Sequence, residues 1–201
     1  MPTPPMIPLA GPGATGERRD AVRNRELLLA AAERLITERG VAAVSMDDVA
    51  QAAGVGKGTV FRRFGSRAGL LQALLDRDET DIQRAFMFGP PPQGPGGPPV
   101  ERLIAFGHAR LRMIARHGDL LVGAEQATSD PFAVPAWRVS STLVHSLLTE
   151  AGFDGDLDVW TGILMSTLSP LWTTHQIVDS GVRLERLEAG WTDLVRRTLT
   201  S

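Results

Sequence analysis

Apolar residues recur along this chain at three- and four-residue intervals, and no stretch alternates strictly between apolar and polar. Leu28, Ala31, Ala32, Leu35 and Ile36 form one stripe, so Glu26 to Arg39 is predicted to be a helix stopped by Gly40. Ser45 then reads as an N-cap, with Asp48 three residues on as in a capping box and Val44 and Val49 spaced as a hydrophobic staple. Val49, Ala50 and Ala53 supply the inward face of that short helix, and Gly54 ends it. A second short helix is predicted from Gly56 to Phe64, with Val60 and Phe64 on one side and Lys57, Gly58, Thr59, Arg62 and Arg63 on the other. A helix this short does not persist alone in water, so its neighbours must hold it and its polar side is left free.

The same spacing predicts a longer helix from Ser66 to Phe88, which packs Leu70, Leu71, Leu74 and Leu75 and serves as a connecting lever. Gly89 to Pro99 is a Pro/Gly linker that marks a boundary. Beyond it the pattern predicts a helix from Val100 to His117, a short one from Asp119 to Ala127, and one from Pro135 to Ala151. A helix from Leu157 to Ser180, kinked at Pro170, and a final helix carrying Leu184, Leu187, Trp191, Leu194, Val195 and Thr198 complete the body. The fold class expected is all-α, with about nine helices. Its expected division is a disordered tail over 1–16, a helix-turn-helix domain over 17–65, a connecting helix over 66–88, a linker over 89–99 and a helical ligand-binding and dimerisation bundle over 100–201.

Composition narrows the chemistry. The chain of 201 residues has no cysteine, which removes disulfides, thiol redox sensing and Cys-ligated zinc. No run is long and apolar enough to span a membrane, and the Pro-rich start lacks a basic-then-apolar export signal, so a cytoplasmic location is expected. Net charge is −2 but unevenly spread. Glu17 to Leu75 holds ten Arg or Lys against seven acids, while Asp76 to the end holds eleven against sixteen. The basic excess therefore lies with the short helices. Arg18, Arg19, Arg23 and Arg25 form either a basic arm for the minor groove or backbone of DNA, or a solvated helix start.

Helix, glycine turn, then a helix with small and cationic outward residues is the arrangement that enters a DNA major groove. The run AQAAGVGKGTVFRRFGSRAGLL resembles the DNA-binding signature of the TetR family of bacterial transcriptional regulators, densely over residues 22 to 75. Four positions depart from the common pattern: Gly56 for Ser, Phe61 for Tyr, Arg63 for His and Arg67 for Lys. The first two remove phosphate contacts, and the arginines add charge. The DNA-binding residues expected are Ser45, Lys57, Gly58, Thr59, Phe61, Arg62, Arg63 and Arg67. Lys57, Arg63 and Arg67 suit phosphate, Gly58 permits close backbone approach, and Thr59 and Arg62 suit base edges. Phe61 packs on a sugar or completes the core.

GVGKGT at 54–59 looks like a phosphate-cradling loop, but Gln51 stands where that loop needs glycine, and the preceding segment is helical. His108, His117, His145 and His175 have no metal-ligand spacing, no GxSxG exists, and neither a cofactor nor catalysis is expected. The resemblance implies a homodimer and a small-molecule pocket in the body. Trp160, Ile163, Leu164, Leu168, Leu171 and Trp172 exceed one buried stripe, which agrees with self-association through the two C-terminal helices. Candidate pocket residues are Phe106, Arg110, Met113, Trp137, His145, Trp160, Met165, Trp172 and His175, suited to an apolar or aromatic effector. The expected function is a ligand-responsive regulator, a repressor binding double-stranded operator DNA. The alternatives are a helical binding or catalytic domain with a vestigial reader, and an activator or nucleoid-type binder.

Overall fold

The structure is a computed structural model that describes residues 13–127, 130 and 135–199. Its described elements are helical, with no strand among them. In chain order they are α1 (Gly13–Arg39), α2 (Met46–Ala52), α3 (Lys57–Phe64), α4 (Arg67–Phe88), α5 (Pro99–Ala127), α6 (Pro135–Glu150), α7 (Leu157–Ser166), α8 (Pro170–Val178) and α9 (Leu184–Leu199). The chain divides into two compact units, Met1–Leu74 and Leu75–Ser201.

The first unit is built on α1. Leu28, Leu29, Ala32, Leu35 and Ile36 of that helix meet Val44, Met46, Val49, Ala50, Val60, Leu70 and Leu74 in one buried cluster. Three turns of apolar stripe thus form the floor beneath two helices of seven and eight residues. The described helix begins at Gly13, well before the expected Glu26, and so covers residues 13–16 of the expected tail. Residues 1–12 lie outside the described residues, as do the side chains of Arg18 and Arg19.

The second unit packs α8 and α9 on α5, and α6 on α5 and α7. Leu103, Ile104, Phe106 and Leu111 of α5 meet Val144, Leu147 and Leu148 of α6, Leu164 and Met165 of α7, and Trp191 and Val195 of α9. Trp191 seats against Gly107, where a Cβ would fall 2.0 Å from the indole Nε1. That nitrogen donates to the carbonyls of Leu103 and Ile104 at 3.2 Å each. The glycine is therefore the notch that lets α9 dock on α5.

Two boundaries differ from the sequence reading and one agrees with it. The segment 89–99 does not separate the units: the division falls at Leu74, and Gly94 is buried within the second unit. His117 (φ −130°, ψ 20°) breaks the helical backbone of α5, so two helical segments meet at a kink where the sequence ends one helix and starts another near Asp119. The predicted kink at Pro170 is a full break. Ser169 caps α8 by accepting from the Trp172 amide, and Pro170 takes the first turn, where its missing N–H costs nothing.

Candidate nucleic-acid interface

α2 starts where Ser45 leaves extended backbone (φ −103°, ψ 165°). The Asp48 amide donates to Ser45 Oγ at 3.2 Å, and the Ser45 amide donates to Asp48 Oδ2 at 2.9 Å, which closes a reciprocal capping box. The Ser45 hydroxyl and amide hold the Asp48 carboxyl below its ordinary value, with Arg39 adding a smaller push at 3.7 Å. Gly54 adopts φ 66°, a left-handed conformation that ends α2 and that a Cβ would disfavour. The Val55 amide returns to the Ala50 carbonyl at 3.0 Å, and Gly56 opens α3 from extended backbone.

Val60 fixes the orientation of α3, because it is fully buried while Phe64 is half-buried. At 100° per residue, Gly58 and Arg62 each lie about 200° from Val60, on the side opposite the core. Gly58 has open space where a Cβ would stand. Arg62 and Arg63 are exposed and make no ion pair among the described residues. Lys57 and Phe61 occupy one flank. The ammonium sits 5.6 Å from the Phe61 ring centroid and 2.7 Å from Asp47 Oδ2. Thr59, half-buried, lies on the other flank with Arg63.

Two expected contacts look different in three dimensions. Phe61 is 40% exposed, so it does not complete the core. Arg67 turns inward: its Nε donates to the Val44 carbonyl at 2.8 Å and its Nη2 to the Val41 carbonyl. These carbonyls close the 3-10 turn Val41–Ala43 and lead into α2. Arg67 thus ties the start of α4 to the entry of α2, a structural task that the sequence did not signal and that occupies two of its five donors.

Part of the chain also matches known proteins. Residues 28–74 match the family model described as bacterial regulatory proteins, tetR family. The HTH-type transcriptional regulator TtgR of Pseudomonas putida is 41% identical over 59 residues, 29% of this chain and 28% of that protein. An uncharacterized HTH-type transcriptional regulator of Mycobacterium tuberculosis is 36% identical over 87 residues, 43% of this chain and 42% of that one. The match therefore spans less than half the length of either relative. The fold is similar through most of the chain to a TetR-family transcriptional regulator from Pectobacterium atrosepticum, with TM-score 0.63, 22% identity, and 92% and 98% of the two chains covered. A regulator of the TetR/AcrR family from Thermobifida fusca gives TM-score 0.62 at 22% identity, with 86% and 96% covered. Residues 28–74 thus carry the match to the tetR-family model, and the chain as a whole shares the fold of these solved structures.

The nine candidate pocket residues separate into four groups. Phe106, Met113 and Met165 are core, each at most 3% exposed, and do not line a groove among those described. Phe106 stands edge-on to Phe86 at 5.6 Å. Trp137 and Trp160 flank that core, Trp160 edge-on to Phe153 at 5.5 Å. Arg110 is spent on an ion pair with Glu79, and His145 faces Asp158 at 3.6 Å. Trp172 and His175 line the described grooves. A Met or aromatic at helical spacing has the same pattern whether it faces a ligand or a neighbouring helix, so spacing alone does not separate these groups.

The α4–α5 junction holds a polar cluster that sequence reasoning missed. Asp78, 6% exposed, meets His117 Nε2 at 3.1 Å, Arg116 at 3.2 Å and Arg77 at 3.3 Å. Burial pushes its carboxyl up, yet the His117 hydrogen bond and the charges of Arg116, His117 and Arg77 together leave it below the ordinary value.

Proposed function

We propose that this protein is a transcriptional regulator and not an enzyme, acting as a homodimer that inserts one α3 per protomer into successive major grooves of a pseudo-palindromic operator. The observation that carries this reading is the orientation of α3. Val60 anchors it from behind, and Gly58, Arg62 and Arg63 stand outward with no partner for either guanidinium among the described residues. Arg62 reads a base edge, Arg63 and Lys57 take phosphates, and the bare Gly58 lets the helix backbone come close. Thr59 touches a base edge or thymine methyl from the flank. Phe61, lacking a hydroxyl, packs on a deoxyribose of the groove wall.

Self-association through α8 and α9 is supported by a groove of about 280 Å³ lined by Leu168, Trp172, Leu187, Gly190 and Leu194. Leu171, Trp172 and Val178 of α8, and Val159 and Ile163 of α7, also remain exposed. A two-fold related copy would cover this apolar area. Repression is relieved when a small effector in the body favours a protomer arrangement that no longer matches the operator. α4, one continuous helix with residues in both units, connects the two events.

Selection of bound duplexes from random DNA tests the proposal. The expected result is a two-fold symmetric sequence with half-site centres about 10 base pairs, or somewhat more, apart. Recovery of no enriched sequence by a folded dimer overturns it.

A further inference from the structure

Two acids open α2, and they have different neighbours. Asp48 closes the capping box with Ser45 and lies 3.7 Å from Arg39. Asp47 has no part in that box. Its Oδ2 reaches across the turn to α3, where it accepts from Lys57 Nζ at 2.7 Å. Lys57 is the first residue of α3, and its ammonium also lies 5.6 Å from the centroid of the Phe61 ring, one turn on. A carboxylate and an aromatic ring thus hold one ammonium on one flank of the helix. Both side chains of the ion pair are 60% exposed, so water screens it and its strength is small. Arg62 and Arg63 make no ion pair among the described residues, so Lys57 differs from them in being matched by an acid of the protein itself. Phe61 has no hydroxyl, so of the two residues on this flank only Lys57 can donate to a phosphate.

Carboxylate and phosphate compete for the same ammonium, and that makes the phosphate contact conditional. On a duplex without matching bases only charge draws the head down, the complex stays loose, and Lys57 keeps its carboxylate. Where Arg62 and Thr59 find their base edges, α3 sits at a fixed depth and register, a phosphate comes within reach, and Lys57 exchanges Asp47 for it. We propose that Asp47 is a specificity-determining residue, which withholds Lys57 from the phosphates of non-cognate DNA and releases it on the operator. This inference rests on the reading of α3 as the helix that contacts DNA. Two plainer roles make different demands. An acid that only complements the dipole at the start of α2 has no effect on DNA binding. An acid that only repels phosphate affects every duplex alike.

The test is fluorescence anisotropy of the full-length protein on the selected operator and on a scrambled duplex of equal length and composition, each over a range of salt. Asp47→Asn leaves the Ser45–Asp48 box in place, so the fold is kept. Freeing Lys57 adds one phosphate contact per head. On the scrambled duplex the slope of log affinity against log salt should steepen by about 2 for the dimer, and affinity at physiological salt should rise roughly tenfold or more. On the operator the contact already exists, so the slope should hold and the gain in affinity should be several-fold smaller. In a Lys57→Gln background the same change should leave the scrambled-duplex slope where Lys57→Gln puts it. Equal steepening on both duplexes, no change on the scrambled duplex, or a full effect that persists without Lys57 would each overturn the proposal. The unaltered protein keeps the two readings apart. If it binds both duplexes alike, the regulator reading sinks whatever Asp47→Asn does. If it prefers the operator and Asp47→Asn shifts both duplexes equally, only this inference sinks.

Discussion

Arg62 and Arg67 are five residues apart, and the sequence assigned both to DNA. Coordinates separate them, because one guanidinium points away from the core while the other is bound to the Val41 and Val44 carbonyls. Their substitutions should therefore fail differently. Changing Thr59 and Arg62 together to Ala should remove specific operator binding in a gel shift while the thermal transition stays put. Arg67→Ala strips two backbone carbonyls of their donors and should lower stability by about 1–3 kcal/mol, read by urea unfolding, before any effect on DNA is considered. A normal unfolding midpoint for Arg67→Ala would return that side chain to the phosphate inventory. Asp78 supplies a pH signature. The His117 hydrogen bond and the neighbouring charges hold its folded carboxyl below the ordinary aspartate value, so the unfolded chain binds that proton more readily. The contribution is fully present above about pH 3.8 and disappears as pH falls through the lowered folded value. Asp78→Ala should cost about 3 kcal/mol at neutral pH, from removal of a buried carboxylate ringed by His117, Arg77 and Arg116. Its urea midpoint should also fall less steeply than that of the unaltered protein between pH 5 and pH 3.

The helices were legible where a local rule decides them. The Ser45–Asp48 box, the glycine stops at Gly40, Gly54, Gly152 and Gly181, and the apolar stripes of α1, α6 and α9 all follow from spacing and backbone preference, and the structure contains each. Misreadings occurred where competing local signals met. Pro170 was read as a kink because the apolar residues continue across it, yet Ser169 ahead of it supplies a complete new N-cap, so two helices cost less than one bent helix. Gly89 to Pro99 has linker composition, but composition does not reveal that Gly94 is buried within the second unit. The α5–α9 joint was invisible for a further reason: nothing in one dimension pairs Gly107 with Trp191, 84 positions apart in the numbering. Gly107→Ala would place a methyl group 2.0 Å from an indole nitrogen that is hydrogen-bonded to two carbonyls. The clash should lower stability by about 1–3 kcal/mol, with a matching loss in the near-ultraviolet tryptophan signal as α9 shifts.

At the scale of the whole molecule, charge and apolar area are sorted along the chain. The first unit carries the basic excess, and the second carries the acidic excess together with most of the exposed large apolar side chains. A net charge of −2 is thus compatible with binding a polyanion, because the phosphates meet the local field and not the sum. The sorting also ties assembly to affinity. One α3 presents few cationic groups, chiefly Lys57, Arg62 and Arg63, and eight residues of helix cannot by themselves hold a duplex against physiological salt. In the proposed dimer, two heads would double the phosphate contacts and share a single entropic cost of association. Breaking the pair should therefore damage DNA binding more than any one contact does. Gly190 offers the means, since it lines the α8–α9 groove, is exposed and has open space where a side chain would begin. Gly190→Arg adds bulk and charge to that groove without disturbing the protomer core. Sedimentation should then report a folded monomer, and operator affinity should fall at least as far as with Thr59 and Arg62 both removed. The slope of log affinity against log salt should also drop to about half, since one head neutralises half the phosphates. A dimer that persists in Gly190→Arg with undiminished salt slope would move the interface away from α8 and α9. A true monomer that keeps its operator affinity would contradict the two-headed reading itself.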